Sequence, residues 1–280
     1  MNRVVVITGA SSGIGLAAAV GFARAGDSVV ATLRDPSRQG PLRAAAESAG
    51  VEMDVEQLDV TDDASADTLL ATVLARHGRI DVLVNNAGLG FIGTLEELSL
   101  EDLRRSMEVN FFGVARLTKA VLPIMRSAGG GHVIAVTSLG GVLGQPFNDA
   151  YCAAKFAVEG LYESLHPVAA RFGVHVSIVE PGPVDTEFRS RSVVAGHGDD
   201  PELDSLRERY LEVTGPGSTR SQSAEDAASV IVAATADTPP VLRYQTSNLT
   251  RRLAGRKLAD VTGEQVVAFT STWLDDEPPA

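Results

Sequence analysis

Tyr151-Cys152-Ala153-Ala154-Lys155 sets a phenol and an ammonium four residues apart. On a helix, positions i and i+4 share one face about one turn apart, so the two groups stand side by side. A free phenol ionises near pH ~10 and is a poor base at neutral pH. Bringing it to about 7 takes roughly 4 kcal/mol. A positive charge ~4 Å away supplies about that much at an effective dielectric of ~20, but only ~1 kcal/mol in bulk water. The pair can therefore transfer protons only in a cleft that excludes water. Other polar groups lie near apolar runs: Ser138 just after His132–Val136, Asn110 inside Val109–Phe112, and Asn85-Asn86-Ala87-Gly88 after Ile80–Val84. Each also has a plain reading: an unrelated Tyr and Lys, a helix asparagine bonded to local backbone, or a turn.

A second constellation is Thr8-Gly9-Ala10-Ser11-Ser12-Gly13-Ile14-Gly15, which follows the β-branched run Val4–Ile7. Glycines at a strand end permit a tight turn and close approach to a pyrophosphate, and the next helix presents free N–H groups to it. This context points to dinucleotide binding rather than a mere packing turn. The end of the second strand chooses the dinucleotide. An acidic residue there bonds the adenosine ribose, and an arginine accepts a 2′-phosphate. Here the chain reads Ala31-Thr32-Leu33-Arg34-Asp35-Pro36. If Leu33 ends the strand, Arg34 follows it and Ser11 and Ser12 add hydroxyls, which predicts NADP(H). The rival is Asp35 reaching back to the ribose, which predicts NAD(H).

These residues require strands and helices in alternation. Apolar runs predict strands at Val4–Ile7, Ser28–Leu33, Val51–Val60, Ile80–Val84, His132–Val136, Val174–Val179 and Val241–Tyr244. Helical patterns lie at Ser37–Ala49, Ala64–His77, Leu98–Ser127, Ala150–Phe172 and Ala224–Ala236, with one directly after the glycine turn. Thr61-Asp62-Asp63 supplies a cap and first-turn negative charge, and Pro167 predicts a kink. Such alternation is an α/β fold: a three-layer, doubly wound Rossmann domain over the whole chain, with a mainly parallel sheet of about seven strands. From Thr186 to Arg220, Gly and Pro loosen the pattern around a short helix near Glu202–Leu211, as in a substrate-binding insert or lid.

The chain has 280 residues and a formal net charge of −12, which argues against nucleic acid as a partner. No apolar stretch approaches the ~20 residues of a membrane span. A single cysteine, Cys152, fits a reducing cytoplasmic compartment and reads as a packing residue. Five scattered histidines show no metal-ligand pairing, and none is expected beyond surfaces and strand ends. The basic run Arg251-Arg252 to Arg256-Lys257 reads as a solvated face.

As a set, Thr8–Gly15, Asn86-Ala87-Gly88, Asn110, Ser138, Tyr151/Lys155 and Pro181-Gly182 resemble the short-chain dehydrogenase/reductase family in order and spacing, over roughly residues 3–188. The resemblance implies Tyr151 as general acid/base and Lys155 as the group that lowers its pKa and bonds the nicotinamide ribose. It implies Ser138 as the carbonyl-orienting hydroxyl and Asn110 as holder of a water in a relay to Lys155. For the cofactor it implies Asp59 and Val60 at the adenine, Asn86 to Gly88 along the dinucleotide, and Pro181, Gly182, Val184 and Thr186 at the nicotinamide amide. Ala31–Asp35, Gly144–Cys152, Phe172–His175 and Leu242–Tyr244 further resemble the branch containing estradiol 17-beta-dehydrogenase type 1 and photoreceptor retinol dehydrogenase. That branch implies NADP(H) and bulky apolar alcohols or ketones, although no histidine stands near Arg207–Tyr210, where its steroid enzymes carry one. The expected reaction interconverts an alcohol and a ketone or aldehyde. A ketoacyl or general carbonyl reductase and a non-catalytic NADP(H) sensor stay open as alternatives. The long Leu98–Ser127 pattern is apolar on several sides, as in a buried helix, and the resemblance implies that it and the Tyr151 helix form a homodimer or homotetramer interface.

Overall fold

A computed structural model describes residues 2–196, 200–214 and 221–259. In chain order its elements begin β1 Val4–Ile7, α1 Gly13–Arg24, β2 Ser28–Leu33, α2 Gly40–Ala49, β3 Asp54–Gln57, α3 Asp63–His77, β4 Val82–Asn85, β5 Phe91–Ile92, α4 Leu100–Met107 and α5 Gly113–Ser127. They continue with β6 Gly131–Val136, α6 Asp149–Ala170, β7 Val174–Glu180, β8 Val193–Val194, α7 Pro201–Thr214, α8 Ala224–Ala234, β9 Arg243–Gln245 and α9 Asn248–Ala259.

Among the described residues, seven strands form one parallel sheet in the order β3-β2-β1-β4-β6-β7-β9. Strand burial explains the three layers. Val4, Val6, Leu83, Val133 and Val176 face one core with Leu69 of α3, Leu117 of α5 and Val158 of α6. Val5, Ile7, Val29, Val82 and Ile134 face the other with Ala18 and Phe22 of α1, Leu42 of α2 and Ile231 of α8. Alternate residues feed opposite faces, so each strand is apolar throughout. The chain runs outward from β1 to β3, then returns to lay β4 on the other side of β1. That reversal opens a crevice beyond the carboxyl ends of β1 and β4.

Several elements differ from the sequence expectation. The third strand is only Asp54–Gln57, at the sheet edge, and the last is Arg243–Gln245. The Leu98–Ser127 pattern is two helices joined by a π turn at Glu108–Phe112. Phe112 there is exposed, so the pattern is not buried all round. The Tyr151 helix continues past Pro167 to Ala170. In the insert, β8 pairs in parallel with β5, tying it to the loop after β4. His197, and Gly215 to Arg220, fall outside the described residues.

Candidate active site

The glycine turn and the loop after β4 are stitched together. The Thr8 hydroxyl accepts the N–H groups of Asn86 and Ala87, each at 2.9 Å. The Asn86 amide donates to the carbonyls of Thr8 at 2.9 Å and Gly9 at 3.1 Å. Gly9 and Gly13 have φ of 70° and 57°, and a Cβ on Gly9 would lie 2.8 Å from Ala87 Cα. A Cβ on Gly15 would meet the Asn86 amide and the Gly9 carbonyl. Beyond this cradle, the N-terminus of α1 is bare. The hydroxyl of Ser12, at the cap position, accepts from Arg191 at 3.0 Å and makes no capping bond, and the first turn carries no acid. By contrast, α3, α4 and α8 are capped by Asp62, Ser99 and Ser223, with acids in the first turn. The free N–H groups and positive dipole end of α1 fit the pyrophosphate of a dinucleotide.

At the end of β2, Leu33 is buried and paired with Gln57, and Arg34 is the first exposed residue after it. Arg34 and Arg38 both line the cleft. The Asp35 carboxylate turns to Ser37, accepting its N–H at 3.0 Å and its hydroxyl at 2.7 Å. Those bonds hold it below the usual carboxylate range. Asp59 is similarly engaged by the Thr61 N–H and hydroxyl, which outweigh partial burial and lower its pKa.

On α6, Tyr151 and Lys155 share a face as the i, i+4 spacing requires. Lys155 Nζ lies 5.7 Å from the Tyr151 ring centroid and donates to the Val136 carbonyl at 3.0 Å. Ser138 lines the cleft with them, and its Oγ accepts the Gly140 N–H at 3.0 Å. The Phe188 ring of the insert stands 5.8 Å from that of Tyr151. The electrostatics depart from the sequence expectation. Burial pushes the Tyr151 phenol up, with the Ser138 hydroxyl pulling the other way. Burial pushes the Lys155 ammonium down to about 8, against the nearby Glu159 carboxylate. The protein's own groups therefore do not make the phenol acidic; the Lys155 nitrogen is turned to a backbone carbonyl.

Asn110 sits in the π turn, a distortion that recurs at functional sites. Its side chain is not bonded within its own helix turn alone. It accepts the Leu89 N–H at 3.0 Å and donates to the Leu89 carbonyl at 2.8 Å and the Ser106 hydroxyl at 3.3 Å. It fastens the loop after β4 from behind. A Cβ on Gly88 would come within 3.1 Å of Asn110 Oδ1 and 3.8 Å of Lys155 Nζ.

All the other residues singled out for catalysis or cofactor contact line one cleft of about 1720 Å³, from Gly9–Gly15 and Arg34 through Asp59, Val60 and Asn86–Gly88 to Ser138, Tyr151, Lys155, Pro181, Gly182, Val184 and Thr186. Sequence reasoning missed the far wall, which includes Phe188, Tyr210 and one stripe of α9. The stripe is Leu249, Arg252, Leu253 and Arg256, so the basic run is not simply a solvated face. Its 3.6-residue spacing was the available signal. Arg207 of the insert is buried, ion-paired with Glu97 and Asp204, with Phe147 5.7 Å away. Cys152 is buried, and burial pushes its thiol up to about 12. Among the described residues no metal-ligating group of three occurs, and no helix is long and apolar enough to cross a membrane.

A family model described as short chain dehydrogenase matches residues 3–194. The chain belongs to the short chain dehydrogenase family. It is 41% identical to retinol dehydrogenase 8 of Homo sapiens over 97% of this chain and 90% of that protein. It is 38% identical to 17-beta-hydroxysteroid dehydrogenase type 1 of Homo sapiens over 100% of this chain and 88% of that one. A short-chain dehydrogenase from Streptomyces avermitilis superposes with a TM-score of 0.81, at 35% identity and 98% and 97% coverage. Among solved members, one from Burkholderia phymatum is in complex with NAD (TM-score 0.81, 26% identity, 100% and 98% coverage). An alcohol dehydrogenase from Thermococcus sibiricus is complexed with 5-hydroxy-NADP (0.71, 28%, 88% and 95%). Family membership makes the chain an oxidoreductase of CH–OH groups that uses a nicotinamide cofactor and a small-molecule substrate.

Proposed function

We propose that this family member is an NADP(H)-dependent enzyme that interconverts an alcohol with a ketone or aldehyde. The observation that carries the reading is that Ser138, Tyr151 and Lys155 line the same cleft as the glycine cradle, with Lys155 Nζ 5.7 Å from the Tyr151 ring centroid. When bound, the nicotinamide supplies or accepts the hydride. Tyr151 moves the proton at the substrate oxygen, and Ser138 orients that oxygen from the other side of the phenol. The Lys155 ammonium supplies positive charge behind the phenol, and Asn110 fixes the loop that faces it. The bare N-terminus of α1 takes the pyrophosphate, and Arg34, with Ser11 and Ser12, takes a 2′-phosphate. Asp59 and Val60 receive the adenine. Asn86 shapes the cradle for the dinucleotide with Ala87 and Gly88, and Pro181, Gly182, Val184 and Thr186 receive the nicotinamide end.

Two observations favour NADP(H) over NAD(H). Leu33 closes the strand, so Arg34 stands at the selecting position, and the rival acceptor Asp35 is tied to Ser37. A substrate with an apolar body suits the wall made by Ile92, Leu139, Leu249 and Leu253, in keeping with the retinol and hydroxysteroid named for the relatives. The presence of both Tyr151 and Lys155 speaks against a non-catalytic sensor. Exposed Phe112 (48%) and Phe156 (38%) on the π turn and α6 support a homodimer or homotetramer; a monomer mass by light scattering at micromolar concentration would count against it. The lone buried Cys152 is in keeping with a cytoplasmic protein. The deciding test is NADPH consumption against a panel of apolar ketones, aldehydes and quinones. Reduction lost in Tyr151→Phe with NADPH still bound supports the reading, and near-native turnover in that variant refutes it.

A further inference from the structure

We infer that the substrate carries an anionic group remote from its carbonyl, received by Arg189 and Arg252; this rests on the oxidoreductase reading above. Leu249, Arg252, Leu253 and Arg256 recur at i, i+3, i+4 and i+7, so α9 presents one face to the cleft. Leu253 belongs to a buried cluster with Leu139 and Tyr210, against which Leu249 packs. Leu139 follows Ser138 in the chain. An apolar floor thus runs from the carbonyl-orienting hydroxyl to α9, where Arg252 is exposed at its lip. Arg189 joins from the insert, next to Phe188, the residue in ring contact with Tyr151. Its guanidinium is partly buried, donates to the Thr214 hydroxyl at 3.2 Å and stands 5.8 Å from the Tyr210 ring centroid.

Among the described residues neither arginine is ion-paired. Other arginines of the insert do pair: Arg191 with Glu187, Arg207 with Glu97 and Asp204, and Arg209 with Glu212. Arg34, Arg38 and Arg105 also line the cleft without an ion pair among the described residues, and Arg189 and Arg252 differ from them in standing beside the apolar floor. The four carboxylates that do line the cleft are Asp35, Asp59, Glu101 and Glu108. They lie after β2 and β3, on α4 and in the π turn, none on the insert or α9. Five fixed N–H donors in a partly dry setting favour a carboxylate or a phosphate over a neutral acceptor. The matching substrate has an apolar body with a carbonyl or hydroxyl and, at its far end, either a free carboxylate or the phosphates of a nucleotide thioester.

The test compares NADPH consumption with a mid-chain keto fatty acid, its methyl ester and its coenzyme A thioester. One charged form should exceed the ester in kcat/KM by about tenfold or more, with the margin narrowing as salt is raised. Preference for the acid identifies the carboxylate, and preference for the thioester the phosphates. Arg189→Met and Arg252→Glu should each cut the charged-to-ester ratio about tenfold. Calorimetry of the corresponding hydroxy acid or hydroxyacyl thioester with NADP+ should lose affinity in parallel, NADPH fluorescence reporting that each variant is folded. An ester that matches or beats both charged forms overturns the inference. So does reduction confined to neutral carbonyls. If no carbonyl of any kind is reduced, the fault lies with the oxidoreductase reading. The calorimetry then decides, and equal affinity for the charged ligands in wild type and both variants overturns the anion site.

Discussion

The parallel sheet buries titratable side chains at both of its edges, and the two edges use them differently. At the carboxyl edge, Tyr151 and Lys155 are desolvated but line the cleft together with Ser138. At the amino edge, His132 is equally buried at the start of β6. Its Nε2 meets Ser177 Oγ at 2.9 Å, the Ser177 hydroxyl donates to the Val241 carbonyl at 2.8 Å, and the His175 ring stands 5.8 Å away. Burial holds its pKa down at about 4, assisted by His175 and Arg3. A perturbed pKa by itself therefore marks burial, and chemistry requires that the perturbed group also meet a cleft.

The sharpest way to break this comparison is at the carboxyl edge. Tyr151→Phe should lower kcat about 10²- to 10⁴-fold, and Lys155→Met should act in the same direction. Both should leave NADPH binding measurable by fluorescence, and the loss of one phenol hydroxyl should shift unfolding by only about 1 kcal/mol. Arg34→Asp should move the NADP(H)/NAD(H) ratio of kcat/KM toward NAD(H) by about ten- to a hundredfold; an unchanged ratio would show that Arg34 is not the selector.

At the amino edge the effect should fall on stability alone. The folded pKa of His132 is about 4, below the ordinary 6.5, so the unfolded chain takes the proton first as pH falls. The stability that His132 contributes is then fully present above about pH 6.5 and lost progressively toward pH 4, by up to roughly 3 kcal/mol, while Glu159, raised to about 7 by burial, acts in the opposite sense. Denaturant unfolding at pH 7 and 4.5 should show that loss as the difference between the wild type and His132→Gln, with kcat at neutral pH unchanged. A change in turnover would mean the amino edge is not catalytically silent. The smallest contrast concerns two helix starts. Asp62→Ala removes a working cap from α3 and should cost ~1 kcal/mol of unfolding free energy with turnover intact. Ser12→Ala removes no cap from α1 and should weaken cofactor affinity while leaving stability nearly unchanged.

Much of the cofactor half was legible because its signals are local. β1 is a continuous β-branched run and β2 carries Val29, Val30 and Thr32, and the sequence bounds Val4–Ile7 and Ser28–Leu33 are those of the structure. Glycines mark the turn, and Asp62 caps the helix it precedes. The substrate half was harder. β5 and β8 have two residues each and pair across about a hundred positions, Phe91 with Val193, so no local pattern announces them. The π turn at Asn110 keeps the hydrophobic rhythm of the helices beside it and so hid the break between them. The leucines of α9 are too few to outweigh four basic residues until the cleft shows which face they share.

The sequence by itself determined the strands of the main sheet, the glycine turn after β1 and the one-turn spacing of Tyr151 and Lys155, because each depends on contacts a few residues long. Only the tertiary structure decided which way those groups point and what surrounds them. It turned Lys155 to the Val136 carbonyl and Asn110 to Leu89, and it brought Arg189 and Arg252 to one cleft. Desolvation and pairing depend on neighbours far away in the chain, and those neighbours exist only once the sheet, the insert and α9 have packed.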